Sequence, residues 1–347
     1  KQATFKTIVD TLDRQLDYHI VGVTHDKDGI PQYKRSAFLR NSRDFGVPQN
    51  RPRVYIVAFS RAYFGQHISL LPEEAPTKRS RTPVFKSLAD VLDKKVDSRF
   101  FLSSGYLDTL EKHIVTQHKK GYGFGYCIVN APEIETPIAN TLLATGGSGR
   151  ERNLIYDPIN GASCAGTSIK GKYSPINDKF IRTMTPNEWG RLQGFVGYAF
   201  VDKNGIDQFS FPEDIRNVQR FKQFGNSVTI PVIEEYALFI QQCCDTMYDA
   251  FSPIEKRLFS MYGNEFLLCS LISRELAYHL RKDTLNRYFS IVYHYKLNCF
   301  RTKELARYLD VSAARASQII TQLTQIGCVH QESDGSYQFE DLLSFSK

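Results

Sequence analysis

The sequence predicts an α/β protein that carries a loop-rich, mostly β insert and an all-α, winged-helix tail. Three observations predict it: a helix-then-strand pattern with an apolar strand run in 1–60, a stretch punctuated by Pro and Gly in 61–180, and helical spacing closed by a hairpin in 250–347. Residues 4–16 carry apolar positions at helical spacing (Phe5, Ile8, Val9, Leu12), and the β-branched run Ile20-Val21-Gly22-Val23 follows as a strand. Val54-Tyr55-Ile56-Val57-Ala58-Phe59 is nearly all apolar, as expected of a strand covered on both faces. From 61 to 180, Pro72, Pro76, Pro83, Pro132, Pro137, Pro158 and Pro175 separate short segments, with one helix expected near 86–95. Regular texture returns at Thr185-Pro186-Asn187-Glu188, where Thr185 is the N-cap, Pro186 opens the first turn and Glu188 completes a capping box. Another amphipathic helix spans about 230–248.

In the tail, Leu258, Tyr262, Phe266, Leu267, Ile272, Leu276, Leu280 and Leu285 keep helical spacing. Two helices at 302–309 and 313–326 flank a turn at Asp310-Val311-Ser312. Gly327 closes the second, and two strands flank a Ser333-Asp334-Gly335 turn. Two helices, a tight turn and a hairpin read as a winged helix-turn-helix. Neither an internal repeat nor a low-complexity segment stands out.

Composition narrows the class. A chain of 347 residues exceeds what one core usually organises, so more than one compact unit is expected. Hydrophobic residues make up 42%, charged residues 23%, and there are 24 Phe and 19 Tyr, which excludes a disordered chain. The formal charge of +7 is not concentrated in one block, so it allows a nucleic acid partner without requiring one. Seven cysteines, an odd number with no C-x-x-C pair, favour neither a disulfide framework nor a metal site, and a reducing cytoplasm fits best. No run reaches the roughly 18 apolar residues of a membrane span, so no membrane partner is expected. Lys1 falls just before a helical pattern, from which a fragment or one piece of a split protein is expected.

The chemistry concentrates in three segments. Asp44-Phe45-Gly46-Val47-Pro48-Gln49-Asn50-Arg51-Pro52-Arg53-Val54 sets Gln49, Arg51 and Arg53 at alternate positions. Period-two spacing puts them on one face at a strand mouth, where guanidinium forks can hold a carboxylate, a phosphate or a pyrimidine O2. Spacing alone favours a surface arginine pair beside a strand. Two further segments change that balance: Ile181-Arg182-Thr183-Met184-Thr185-Pro186-Asn187-Glu188-Trp189-Gly190-Arg191-Leu192-Gln193-Gly194-Phe195, and Phe221-Lys222-Gln223-Phe224-Gly225-Asn226-Ser227-Val228. Together, and in this order, the three resemble the Gln-x-Arg-x-Arg motif and the last two motifs of the DNA cytosine-5 methyltransferases, over roughly 1–245.

The resemblance implies the C-terminal part of a Rossmann-like methyltransferase sheet in 1–60, a target-recognition domain in 61–195, a return to the catalytic domain in 196–249, and an appended helical linker and winged helix in 250–347. It also implies that the target cytosine is flipped from the duplex and takes a methyl group from S-adenosyl-L-methionine. In that scheme Arg53 holds cytosine O2, Arg51 supports the site, Gln49 braces the loop, and Asn226 and Ser227 close over the cofactor. Read by itself, Gly225-Asn226 is equally an ordinary left-handed turn. Within the insert, Thr141-Leu142 before the loop Gly146-Gly147-Ser148-Gly149 resembles the family's recognition signature. Thr141 would meet a phosphate, and Arg150 or Arg152 would read guanine, although a flexible surface loop accounts for either arginine equally. The Gly121-Tyr122-Gly123-Phe124-Gly125 run reads as a turn of this lobe.

Departures accompany the matches. No cysteine follows a proline, and neither a Glu-Asn-Val triplet nor a glycine-rich cofactor loop occurs. The expected partners are therefore double-stranded DNA and an N-terminal catalytic half, in a bacterial or phage restriction-modification system. A non-catalytic DNA-recognition subunit is the alternative. The 313–326 helix carries Arg315 and Gln318 for a major groove, although one basic residue is equally consistent with a packing module.

Overall fold

The computed structural model describes residues 2–123, 125–145, 150–171, 173–251, 298–325 and 329–339, together with 256, 287, 291, 294 and 295. They fall into two compact units. One comprises 1–34, 56–74 and 240–347, and the other 35–55 and 75–239.

In the first unit the Gln2–Asp10 helix continues into a π-helical turn at Thr11–Gln15, with Val9 fully buried. The strand expected at 20–23 lies instead at Tyr18–Ile20, because Gly22 takes a left-handed φ of 92° that ends the extended run. It pairs antiparallel with Ala58–Ser60. Buried Asp13 accepts from Arg61 Nη2 at 2.7 Å and lies 2.8 Å from His25 Nε2, so its carboxyl stays below the usual carboxylate range even though burial pushes it the other way.

At the C-terminal end, helices Thr302–Leu309 and Ala313–Gln325 meet across the left-handed Asp310 (φ 51°). A hairpin follows, Val329–Gln331 against Tyr337–Phe339. Leu305, Ile319, Ile320, Leu323, Val329 and Phe339 are buried, each contributing roughly 1.5–3 kcal/mol. The helical pattern from Leu258 to Leu285 lies outside the described residues, as do Phe124, Gly146–Gly149, Gly327 and Cys328.

The second unit corrects several expectations. The apolar run at 54–59 is not one doubly covered strand: Pro52–Val54 pairs antiparallel with Leu39–Asn41, Val54 is 53% exposed, and a new strand starts only at Ala58. An apolar run reports β propensity but not how many neighbours will cover it. The described strands pair in twos, including Gln49–Asn50 parallel to Ala139–Asn140 and Leu154–Tyr156 antiparallel to Ile181–Thr183. The helix expected near 86–95 is a single 3-10 turn at Leu88–Val91. The insert was expected to be mostly β, yet its longest element is the 16-residue helix Ser104–Lys119, which packs Leu107 and Leu110 against Leu102, Leu154 and Ile181.

The capping box is as expected. Thr185 Oγ1 accepts from Glu188 N at 3.2 Å, Glu188 Oε2 accepts from Thr185 N at 2.7 Å, and Pro186–Gln193 is helical. That helix carries the core: Trp189 and Leu192 are buried with Leu142, Ile155, Met184, Phe221 and Phe224, and Trp189 meets Phe221 edge-on at 4.8 Å. The amphipathic helix expected at 230–248 spans Ile230–Asp249.

Candidate active site

Arg51 joins two of the three chemistry-bearing segments, 44–54 and 221–228, to the insert at Leu142. Between the two short strands 49–50 and 52–54 its side chain turns inward, leaving it 3% exposed. Nη1 donates to the Leu142 carbonyl at 2.9 Å, and Nη2 donates to the carbonyls of Gly225 (2.9 Å) and Ser227 (2.7 Å). Its own N–H donates to Asn41 Oδ1 at 2.8 Å. The planar fork suits this task because its donors point in fixed directions that a lysine ammonium lacks. All these acceptors are neutral, and among the described residues no carboxylate pairs with Arg51. Burial, with Arg53 adding a like charge, pulls its pKa down to about 10.

The three alternating residues do not share one environment. Gln49 is fully buried, and among the described residues neither atom of its side-chain amide has a hydrogen-bond partner. Arg53 is exposed, its Nη1 donating to the neighbouring Pro52 carbonyl at 2.7 Å. Period-two alternation fails here because the extended run is interrupted between its two strand pieces, each paired to a different partner.

Gly225 and Asn226 close the Asn217–Asn226 helix instead of forming a left-handed turn. Gly225 is required for another reason: a Cβ there would lie 2.2 Å from the Leu143 carbonyl oxygen, so only glycine lets the helix end approach this backbone. Asn226 is exposed, while Ser227 is half-buried with its Oγ donating to Phe224 O at 2.8 Å.

Among the residues expected to touch DNA, Thr141 Oγ1 donates to Asn50 O at 2.7 Å, tying the insert to the strand that leads into Arg51. The Arg150 guanidinium lies 5.3 Å from the Phe221 ring centre, while Arg152 is exposed. Arg315 Nη1 donates to Gln318 Oε1 at 2.9 Å on the exposed face of its helix. The structure thus brings Gln49, Arg51, Thr141 and Ser227 into one neighbourhood through hydrogen bonds and strand pairing, and leaves Arg315 and Gln318 in the other unit.

Sequence reasoning passed over three residues. Ser42 and Thr229, both buried, have hydroxyl oxygens 2.8 Å apart, and Thr229 Oγ1 donates to Gln193 Oε1 at 2.9 Å. Asp157 is the third: it accepts from Arg182 Nε at 2.7 Å, while Glu188 accepts from both Nη atoms of that fully buried arginine at 2.8 and 2.9 Å. No spacing signal marks Ser42, Thr229 or Asp157, because their partners are distant in sequence.

The sequence model of the C-5 cytosine-specific DNA methylases matches residues 1–242. The chain belongs to this family. It is 36% identical over 250 residues to the type II methyltransferase M.HpaII of Haemophilus parainfluenzae, covering 72% of this chain and 58% of that protein. It is 28% identical over 237 residues to the type II methyltransferase M1.ScrFI of Lactococcus lactis subsp. cremoris, covering 68% and 46%. The chain thus spans about half the length of the curated relatives it matches. A solved methyltransferase structure, EhMeth of Entamoeba histolytica, covers 72% of this chain and 58% of its own at a TM-score of 0.40 and 17% identity, a likeness too slight to carry a fold argument. The matched span stops short of the helices and hairpin at 302–339.

Proposed function

We propose that this chain is the C-terminal portion of a DNA (cytosine-5)-methyltransferase of a type II restriction-modification system, working on duplex DNA together with an N-terminal catalytic half. The observation that carries the reading is Arg51, whose guanidinium joins the Gln-x-Arg-x-Arg segment, the recognition insert and the closing segment through three bonds. An enzyme that flips a base needs its recognition and reacting parts held in fixed register, because a displacement of about 1 Å costs on the order of a hundredfold in rate.

In this reading Arg53 is the guanidinium available to the flipped cytosine, since it is exposed and, among the described residues, its side chain donates only to a neighbouring carbonyl. Arg51 supports it and presents a buried cation to a carboxylate from the N-terminal half. Gln49 keeps its unpartnered amide beside that site. S-adenosyl-L-methionine, when bound, supplies the electrophilic methyl group; exposed Asn226 and the Ser227 backbone are this chain's fitting contacts for its amino-acid end. Thr141, Arg150 and Arg152 form the DNA-facing edge of the 61–195 recognition domain. The helices and hairpin of 302–339 act as a winged helix whose Arg315 and Gln318 meet the same DNA.

The test combines this chain with an N-terminal half bearing a Pro-Cys nucleophile and measures transfer of labelled methyl groups to duplex DNA. Wild-type chain is expected to support transfer. Arg53→Ala is expected to abolish it while leaving the melting temperature unchanged, and undiminished transfer by that variant would remove the role assigned to Arg53.

A further inference from the structure

Arg51 is held at both ends, and the two ends are joined behind it. On the backbone side, Asn41 Oδ1 accepts the Arg51 N–H and the Ser42 N–H donates to Arg51 O at 3.4 Å. On the side-chain side, Nη2 donates to the Gly225 and Ser227 carbonyls. The Ser42 and Thr229 hydroxyls, 2.8 Å apart, connect the first grip to the second, because Thr229 follows Ser227 by two residues. The contacts therefore form a closed ring: Arg51 backbone, Ser42, Thr229, Ser227, Arg51 guanidinium.

Proton arithmetic gives the ring a direction. The amide oxygen of Gln193 can only accept, so Thr229's one hydroxyl proton is committed to it. Thr229 Oγ1 is then left to accept from Ser42, whose hydroxyl reaches two ring acceptors, Thr229 Oγ1 at 2.8 Å and the Arg51 carbonyl at 3.4 Å, the first being the shorter contact. Ser42 (2%), Thr229 (1%), Arg51 (3%) and Gln193 (0%) are all closed to solvent, so a broken link would not be replaced by bulk water. Gly194 fixes the outer anchor: it adopts φ 80°, and a Cβ there would lie 2.7 Å from Pro231 Cδ, which seats Gln193 against the start of the Ile230–Asp249 helix.

We propose that Ser42 and Thr229 are positioning residues whose paired hydroxyls, anchored on Gln193, hold the Arg51 guanidinium in register with the 225–229 segment. The proposal deepens the methyltransferase reading, in which Arg51 supports the base and 226–227 the cofactor. A shift at one subsite would then be felt at the other through the ring. Its test needs no methyl transfer, so its failure is separable from failure of that reading.

Hydrogen exchange of the Arg51 guanidinium is followed by nitrogen-15 NMR on the full chain carrying Thr229→Val or Thr229→Ser. Valine keeps the volume and removes the hydroxyl, whereas serine keeps the hydroxyl and removes the methyl. Thr229→Val is expected to speed exchange of the Arg51 Nη protons about tenfold, with amide protection of the Pro186–Gln193 helix unchanged and with Thr229→Ser close to wild type. Unchanged exchange in the valine variant, or an equal rise in the serine variant, would overturn the proposal. Should Thr229→Val not fold, Ser42→Ala replaces it under the same two criteria.

Discussion

Of the three arginines buried in the second unit, Arg40, Arg51 and Arg182, the last two are held in opposite ways. Arg182 sits between two carboxylates, Asp157 and Glu188, whose bonds outweigh its burial and raise its pKa. Arg51 is bonded to three neutral carbonyls, and its pKa falls to about 10. The first is a closed electrostatic unit; Glu188 also accepts from Asp93 N at 2.9 Å and caps its own helix, so the triad fastens the 157, 182, 188 and 93 segments together. The second is an uncompensated cation in a low-dielectric place, a state that is costly to maintain. The proposed carboxylate of the N-terminal half is the group that would compensate it.

The comparison can be broken at its closed end first. Arg182→Met should lower stability by about 3–5 kcal/mol in urea denaturation, because Glu188 and Asp157 are left as buried charges without a cation. A loss below about 1 kcal/mol would show that the triad is not the fastening it looks like.

A smaller effect sharpens the same contrast at the edge of the unit. Glu234 accepts from Arg81 (2.9 Å), Arg79 (3.1 Å) and the Tyr198 hydroxyl. Burial would raise its pKa, but these bonds outweigh it and push the value down to about 2. A carboxylate depressed in the folded state stabilises above its unfolded pKa of about 4.3, and that contribution disappears as pH falls toward 2. With its partial exposure discounted, the contribution is on the order of 1 kcal/mol. Glu234→Gln should therefore flatten the stability profile between about pH 5 and pH 2 relative to wild type. An unchanged profile in the variant would remove the compensated clasp from the account.

Much of the local structure was legible because its causes are local. The Thr185–Glu188 capping box, the 230–249 helix and the hairpin closed by Gly335 each depend on residues within a few positions. The Ser104–Lys119 helix was also written in Leu107 and Leu110, but the prolines and glycines around it drew the reading toward strands. One recurrence escaped notice: Asp26-Lys27-Asp28-Gly29-Ile30-Pro31-Gln32 and Asp202-Lys203-Asn204-Gly205-Ile206-Asp207-Gln208 fold alike. In each, the first Asp accepts from the N–H groups two and four residues on and from the Gln amide six on.

The candidate site was legible in its members and not in their arrangement. Motif order brought Arg51 and the 225–227 segment into one hypothesis, and the bonds between them support that grouping. Strand periodicity placed Arg53 beside Arg51, and the interrupted strand separates them. Ser42 and Thr229 could not be read from sequence at all, since their roles exist only across a sequence separation of 187.

The central claim is that Arg51 ties the recognition insert to the closing segment, and amide hydrogen exchange of Arg51→Ala measured by mass spectrometry tests it directly. The account predicts that protection falls together in peptides covering 139–143 and 223–229, while the Pro186–Gln193 helix keeps its own. Loss in only one of the two segments, or in neither, would contradict it.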